Sequence, residues 1–318
     1  MTETSGCPRS PMPRRTGAAA PWTERLAGAP ISWGVCEVPG WGYQLPVELV
    51  LSEMASAGLR AAEFGPDGFL PDAGSDRRST LHRYGMSAVG GFVPVVVHVD
   101  EVEGGDYDAL FGAFVESGAG VVVFAAVSGQ DGYDVRPELD DHGWAMLCMN
   151  LDRLADRATA FGLRATLHPH VGTMVERPYE IDRVLRGATI GLCLDTGHTL
   201  AGGGDPLALA KVAPQRIKHV HLKDVDASMA ARVRAGELTY TDAVRTGMYR
   251  PLGDGDSRVA EIVATLEAAG YEGWYVLEQD RILPAPRGSA ESADAEAAAL
   301  IRADVDASIA HLRAAVDA

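Results

Sequence analysis

Cysteine is scarce in this chain, with four residues in 318. Cys7, Cys36, Cys148 and Cys193 are scattered and none forms a CxxC pair. That spacing excludes a disulfide framework and a thiolate zinc site, and it points to a reducing, cytoplasmic compartment. No apolar run approaches the ~20 residues of a membrane-spanning helix, so no membrane partner is expected. Positive charge is also short: 28 Lys and Arg stand against 44 Asp and Glu, a formal net charge of −16. Such a surface repels a phosphate backbone, and nucleic acid is not an expected partner. There is no Gly-rich dinucleotide or phosphate loop after the first apolar run. The one glycine cluster, "AGGGD" at 201–205, lacks the Lys-Ser/Thr of a phosphate loop and reads as a turn. The first residues carry Arg14 and Arg15 but no apolar stretch follows, so they do not read as a signal peptide. Their Pro, Ser, Thr and Gly content predicts a disordered tail over residues 1–27, ahead of a single domain over 28–318.

What the chain does have is regular alternation. Short apolar runs at 29–36, 59–64, 88–97, 120–126, 163–168, 189–194, 216–222 and 274–278 read as strands. Helical periodicity separates them, for example over 47–57 and over 139–161, which stops at Gly162; a last helix covers 290–316. Eight β–α units in strict alternation predict a parallel sheet, and over this length a closed (β/α)8 barrel of the TIM type. An open doubly wound sheet is the other arrangement, disfavoured by the missing phosphate loop. Residues 224–256 form a long polar stretch after the seventh strand, expected to fold over the site as a lid or to serve an interface.

A TIM barrel does its chemistry at the C-terminal ends of its strands. Those ends carry Glu63 on the second strand, His98 on the third, and His168 and His170 on the fifth. Asp195 and His198 end the sixth, His219, His221, Lys223 and Asp224 the seventh, and Glu278 the eighth. The chain has nine histidines, and His98, His168, His170, His198, His219 and His221 all fall on this one face, which scattered surface histidines would not do. Residues i and i+2 of a strand share a face, so His168 pairs with His170 and His219 with His221. A single strand-end histidine is commonly structural, and at least one of His219 and His221 is expected to be so. A carboxylate such as Glu278, ending the apolar run "WYVLE", needs a partner to be buried at all. Together the residues describe an oxygen–nitrogen site suited to Mn²⁺, Co²⁺, Zn²⁺, Fe²⁺ or Mg²⁺.

The motifs "CLDTGH", "HVHLKD" and "WYVLE", in this order, resemble the xylose-isomerase-like TIM-barrel superfamily of sugar isomerases and epimerases. "PISWGVCEVPGWG" at 30–42, "AAEFGPDGFLP" at 61–71 and "HPHVGTMVE" at 168–176 narrow the resemblance to the inosose (2-keto-myo-inositol) dehydratases. The resemblance implies a metal ligand from each of strands five to eight, which falls here on His168, Asp195, His221 and Glu278. The family commonly has Glu at the first of these positions, so His170 and Glu176 remain alternatives to His168. Base and acid roles fall among His198, His170, Lys223 and Glu63, with Trp33 and Trp41 either walling the pocket or packing in the core. The implied activity is divalent-metal-dependent dehydration of a keto-cyclitol or related polyhydroxy ketone through a metal-stabilised enediolate, with Mn²⁺ the expected metal. The alternative is isomerisation or epimerisation of a keto-sugar, and many relatives form homo-oligomers. A zinc endonuclease shares the barrel and the D-x-x-H pattern, but it needs a basic DNA-facing surface, which the charge opposes. A non-catalytic sugar-binding barrel would not need so complete a ligand set.

Overall fold

The structure is a computed structural model that describes residues 20–36, 38–100, 102, 105–286 and 289–316. The strands are β1 (Leu26–Gly28), β2 (Ala61–Ala62), β3 (Ser87–Ala88), β4 (Gly90–Val95), β5 (Val121–Ala126), β6 (Arg164–Leu167), β7 (Gly191–Asp195), β8 (Ile217–Leu222), β9 (Asp224–Val225), β10 (Tyr249–Arg250) and β11 (Tyr275–Leu277). The helices are α1 (Val47–Ser56), α2 (Gly74–Arg83), α3 (Tyr107–Ser117), α4 (Asp141–Ala160), α5 (Pro178–Gly187), α6 (Thr196–Ala201), α7 (Pro206–Val212), α8 (Ala227–Arg234), α9 (Tyr240–Arg245), α10 (Val259–Ala268) and α11 (Ala290–Val316).

Nine strands pair in parallel in the order β3-β2-β1-β11-β8-β7-β6-β5-β4. The two ends of that list are one strand interrupted at Val89. The Val89 N–H donates to the Ala62 carbonyl on one side, and its own carbonyl accepts from Gly120 and Val121 on the other. The sheet therefore closes on itself, and the expected eight-stranded barrel is present. Alternation assigns the inward faces. Ala27, Ala61, Val89 and Val276 form one small cluster, and Val121, Val123 and Cys193 another, while their strand neighbours Ala62, Val122, Phe124, Leu167, Leu192, Tyr275 and Leu277 join the large cluster under the helices.

The first strand lies earlier than the sequence suggests. Residues 29–36 were expected to form it, but β1 is Leu26–Gly28, paired with Tyr275–Leu277 and with Ala61–Ala62. Pro30 explains the difference: it has no N–H for a central ladder, and it opens a 3-10 turn over Pro30–Trp33 instead. The expected disordered tail, 1–27, is likewise too long at its end. Trp22–Glu24 form a 3-10 turn, and the buried Arg25 guanidinium pairs with Glu267 at 2.6 Å. Residues 1–19 lie outside the described residues. The helix expected over 139–161 is α4, started by the Asp140 carboxylate accepting from Gly143 N–H and followed by Gly162 at φ 79°.

The 224–256 stretch is more ordered than its polarity suggests. It forms the antiparallel pair β9–β10 with α8 and α9 between. Its few apolar residues, among them Val225, Ala230, Tyr240, Val244, Met248 and Tyr249, turn inward with Trp41 and Val171 to make a second core. The buried Asp224 carboxylate pins the segment by accepting from the N–H groups of Val225, Gly253, Gly255 and Ser257. No helix among the described residues is long and apolar enough to cross a membrane.

Candidate active site

The site is one layer of the barrel interior. Ala61, Thr166, Cys193, His219 and Val276 share the inward parity, so the residues two positions further along each strand point inward as well. Those residues are Glu63, His168, Asp195, His221 and Glu278. The β7–β8 register sets Asp195 beside His221. All five are buried except Glu278, whose side chain is 11% exposed.

Asp195 is held twice over. Its Oδ1 caps α6 by accepting from His198 N–H at 2.7 Å, which leaves Oδ2 to face His168 Nε2 at 3.3 Å, Lys223 Nζ at 3.4 Å and His221 Nδ1 at 3.8 Å. His221 Nδ1 also meets Glu278 Oε2. Neither atom has a hydrogen-bond partner, although both are buried. An imidazole nitrogen and a carboxylate oxygen are both atoms of the kind that bind a divalent cation. Asp195, His221 and Glu278 bring their ligand atoms within 4.8 Å of one another, and His168 joins Asp195 and His198 in a second group of that size. The donor set, carboxylate oxygens and imidazole nitrogens, fits a divalent cation.

Lys223 is fully buried beside this group. Its ammonium donates to Asp280 Oδ1 at 2.6 Å and to His198 Nε2 at 2.9 Å, and reaches Glu278 Oε1 at 3.4 Å. Gly197 gives the lysine its path: a Cβ there would lie 2.5 Å from Lys223 Cγ. Thr196 Oγ1 both donates to the Lys223 carbonyl and accepts from its N–H, fixing the backbone at the end of β8. The "DTGH" run thus supplies a cap, a clamp, a gap and an imidazole in four consecutive residues.

Charges in this layer hold one another. Burial opposes ionisation of Asp195 and Glu278, but Lys223 overcomes it for the first, and His221 and Lys223 for the second, so both lie well below the usual carboxylate range. Burial likewise opposes the charge on Lys223, and Asp195, Asp280 and Glu278 outweigh it, raising its pKa. Burial, with His170 and Lys223 beside it, depresses His198. His170 is drawn down to about 3 by burial and the neighbouring His168 and Lys223. Both are therefore neutral imidazoles at pH 7. Asp280 is the exception among the acids: burial, reinforced by Glu278 and Asp195 against the pull of Lys223, raises it to about 6.

His170 is half-buried, with its ring 3.7 Å from that of His198 and its Nδ1 2.7 Å from the Val171 carbonyl. Tyr133 and Trp41 continue the aromatic wall outward, their centroids 5.7 Å apart. Trp33 instead packs in the main core. Glu176 turns away: its carboxylate accepts from Gly172 N–H and pairs with Arg136. His98 is half-buried and takes no part in the ring contacts that join the other five strand-end histidines. Glu63, expected to touch substrate or move a proton, has its Oε1 occupied by two imidazoles, His219 Nε2 at 2.8 Å and His221 Nε2 at 3.0 Å.

Sequence reasoning missed three residues. Asp280 lies two positions beyond Glu278, and the same alternation that selected Glu278 would have found it. Tyr240 and Tyr249 arrive from the 224–256 segment. Tyr240 donates to Asp280 Oδ2 at 2.9 Å, and the Tyr249 hydroxyl lies 3.3 Å from His198 Nδ1. No local pattern marked either one.

A barrel with an acid–imidazole–lysine cluster at its C-terminal end defines a class, and comparison with known proteins agrees. A family model described as "Xylose isomerase-like TIM barrel" matches residues 106–303, more than half of the chain, and the chain belongs to that family. Among curated proteins it is 34% identical over 268 residues to the rhizopine catabolism protein MocC of Rhizobium meliloti, covering 81% of this chain and 82% of that one. It is 31% identical over 269 residues to an inosose dehydratase of Geobacillus thermodenitrificans, covering 81% and 90%. Among solved structures, the IolI protein with a bound zinc atom superposes with a TM-score of 0.63 at 14% identity, covering 92% of this chain and 98% of that one, which supports the fold.

Proposed function

We propose that this protein is a divalent-metal-dependent lyase that dehydrates a keto-cyclitol of the 2-keto-myo-inositol type. One observation carries the metal: Asp195, His221 and Glu278 converge, and two of their buried donor atoms lack hydrogen-bond partners. His168 is the fourth ligand in this reading, because its Nε2 faces the same Asp195 oxygen. The similarity to inosose dehydratases supports the substrate class and the elimination. Mn²⁺ is the metal of first choice, and Co²⁺, Zn²⁺, Fe²⁺ and Mg²⁺ suit the same donors. A cation held there acts as a Lewis acid on a carbonyl oxygen.

The chain's own groups then divide the remaining work. His198, its ring against that of His170 and its Nε2 accepting from Lys223, is the base in this reading once Lys223 donates to a substrate oxygen instead. Lys223, kept charged by three carboxylates, presents a donor to an oxygen that gains negative charge. His170 sits at the approach and hydrogen-bonds or orients the ligand, and Asp280 links Lys223 to the hydroxyl of Tyr240. Trp41, Tyr133 and Tyr240 line that side with apolar surface.

The test is NMR of the Mn²⁺-loaded, desalted enzyme with 2-keto-myo-inositol in D₂O. Loss of a hydroxyl as water to give a dione is the expected result. A new ketone isomer, or deuterium uptake without water loss, would move the reaction to isomerisation or epimerisation, and unchanged substrate would refute the cyclitol assignment.

A further inference from the structure

We infer that Glu63 is a positioning residue that fixes the tautomer and rotation of His221, so that His221 Nδ1 is the ring nitrogen turned to the metal; this rests on the metal site described above. Glu63 Oε1 is shared by two imidazoles on the same face of β8, His219 Nε2 at 2.8 Å and His221 Nε2 at 3.0 Å. One carboxylate oxygen within hydrogen-bond distance of two ring nitrogens serves both as the acceptor, so both Nε2 atoms carry protons. With Nε2 committed to Glu63, His221 has one nitrogen left, and it is the partnerless Nδ1 that faces Asp195 and Glu278.

The rest of the layer forces the same assignment. Glu63 follows directly after β2, across the barrel from β8, and no residue near it in sequence shares the bond; the partners are 156 and 158 positions away. His219, fully buried at the inward position below His221, shares the carboxylate from beneath. A carboxylate behind a ligating imidazole orients the ring and raises its basicity as a ligand, and loss of such a partner typically weakens metal binding about 10–100-fold. The pair His219 and His221 is thus divided in function: His219 is structural, and His221 is the ligand it helps to hold in place.

The experiment has two readouts. The first is the imidazole nitrogen spectrum of ¹⁵N-histidine-labelled, metal-free protein, with His221 assigned by its loss in His221→Gln. The wild type should show a proton on His221 Nε2, and its absence would overturn the inference without any variant needing to fold. The second is affinity for Mn²⁺ and Zn²⁺, each alone, by competition with a chromophoric chelator. Glu63→Gln, which puts a neutral, weaker amide acceptor where the charged carboxylate oxygen serves both rings, should weaken binding about 10–100-fold and let the His221 proton redistribute. Glu63→Asp should recover part of the affinity and the Nε2 proton. Wild-type affinity in Glu63→Gln together with an unchanged His221 spectrum would refute the role. If the wild type binds neither metal while Glu63→Gln still moves the His221 proton, the positioning role stands and the metal reading falls.

Discussion

Gly197→Ala separates a structural demand for glycine from a helical one. Gly197 lies in α6, where alanine is normally the better residue by about 1 kcal/mol. At this position, however, a Cβ would lie 2.5 Å from Lys223 Cγ, 2.7 Å from Cδ and 2.8 Å from Cβ. Those atoms are the root of the lysine side chain. They cannot move aside by rotation of its far end, because Nζ is held by Asp280 at 2.6 Å and His198 at 2.9 Å. Overpacking of this kind typically costs about 1–3 kcal/mol, so after the helical gain the net effect runs from no stabilisation to a loss of about 2 kcal/mol. Gly112→Ala in α3 is the control: its added Cβ meets nothing within 4 Å, and it should gain about 0.5–1 kcal/mol. Urea unfolding of both variants at pH 7, compared by midpoint at constant slope, reads the difference. Equal stabilisation of both variants would refute the argument that Lys223 requires the glycine.

His168→Ala tests the position where the family commonly has glutamate: Mn²⁺ occupancy should fall, and full occupancy would move the fourth ligand to His170. Asp226 caps α8, and its hydrogen bonds from Ser228 and from the Met229 N–H, with Arg250 beside it, lower its pKa to about 2. A depressed carboxylate contributes stability above its unfolded pKa and loses it as pH falls through the folded one. The wild type's advantage over Asp226→Asn, about 0.3–1 kcal/mol at pH 7, should therefore shrink as pH drops from about 4 to about 2. An advantage constant across that window would contradict the assignment.

Much of this barrel is written in local periodicity. The strand from 216–222 and the helices over 47–57, 139–161 and 290–316 appear within two residues of their expected bounds, because alternation and helical spacing are local signals. The first strand moved because Pro30 sits in an apolar run that composition alone cannot tell from a strand. His168, Asp195, His221 and Glu278 were legible as strand-end residues, and folding brings all four to one layer. The partnerships were not legible. Which carboxylate serves which imidazole depends on contacts across the barrel, such as Glu63 with His219 and His221. Tyr240 and Tyr249 come from a segment whose polar sequence hides the small apolar set that packs it down.

The central claim is that Asp195, His221 and Glu278, with His168, hold a divalent cation. The most direct measurement is the metal content of protein loaded with Mn²⁺ and then desalted, for the wild type and for Glu278→Gln. The wild type should retain stoichiometric metal and the variant should lose it while keeping its fold by circular dichroism. Full retention in a folded Glu278→Gln variant, or no retention in the wild type, would contradict the account.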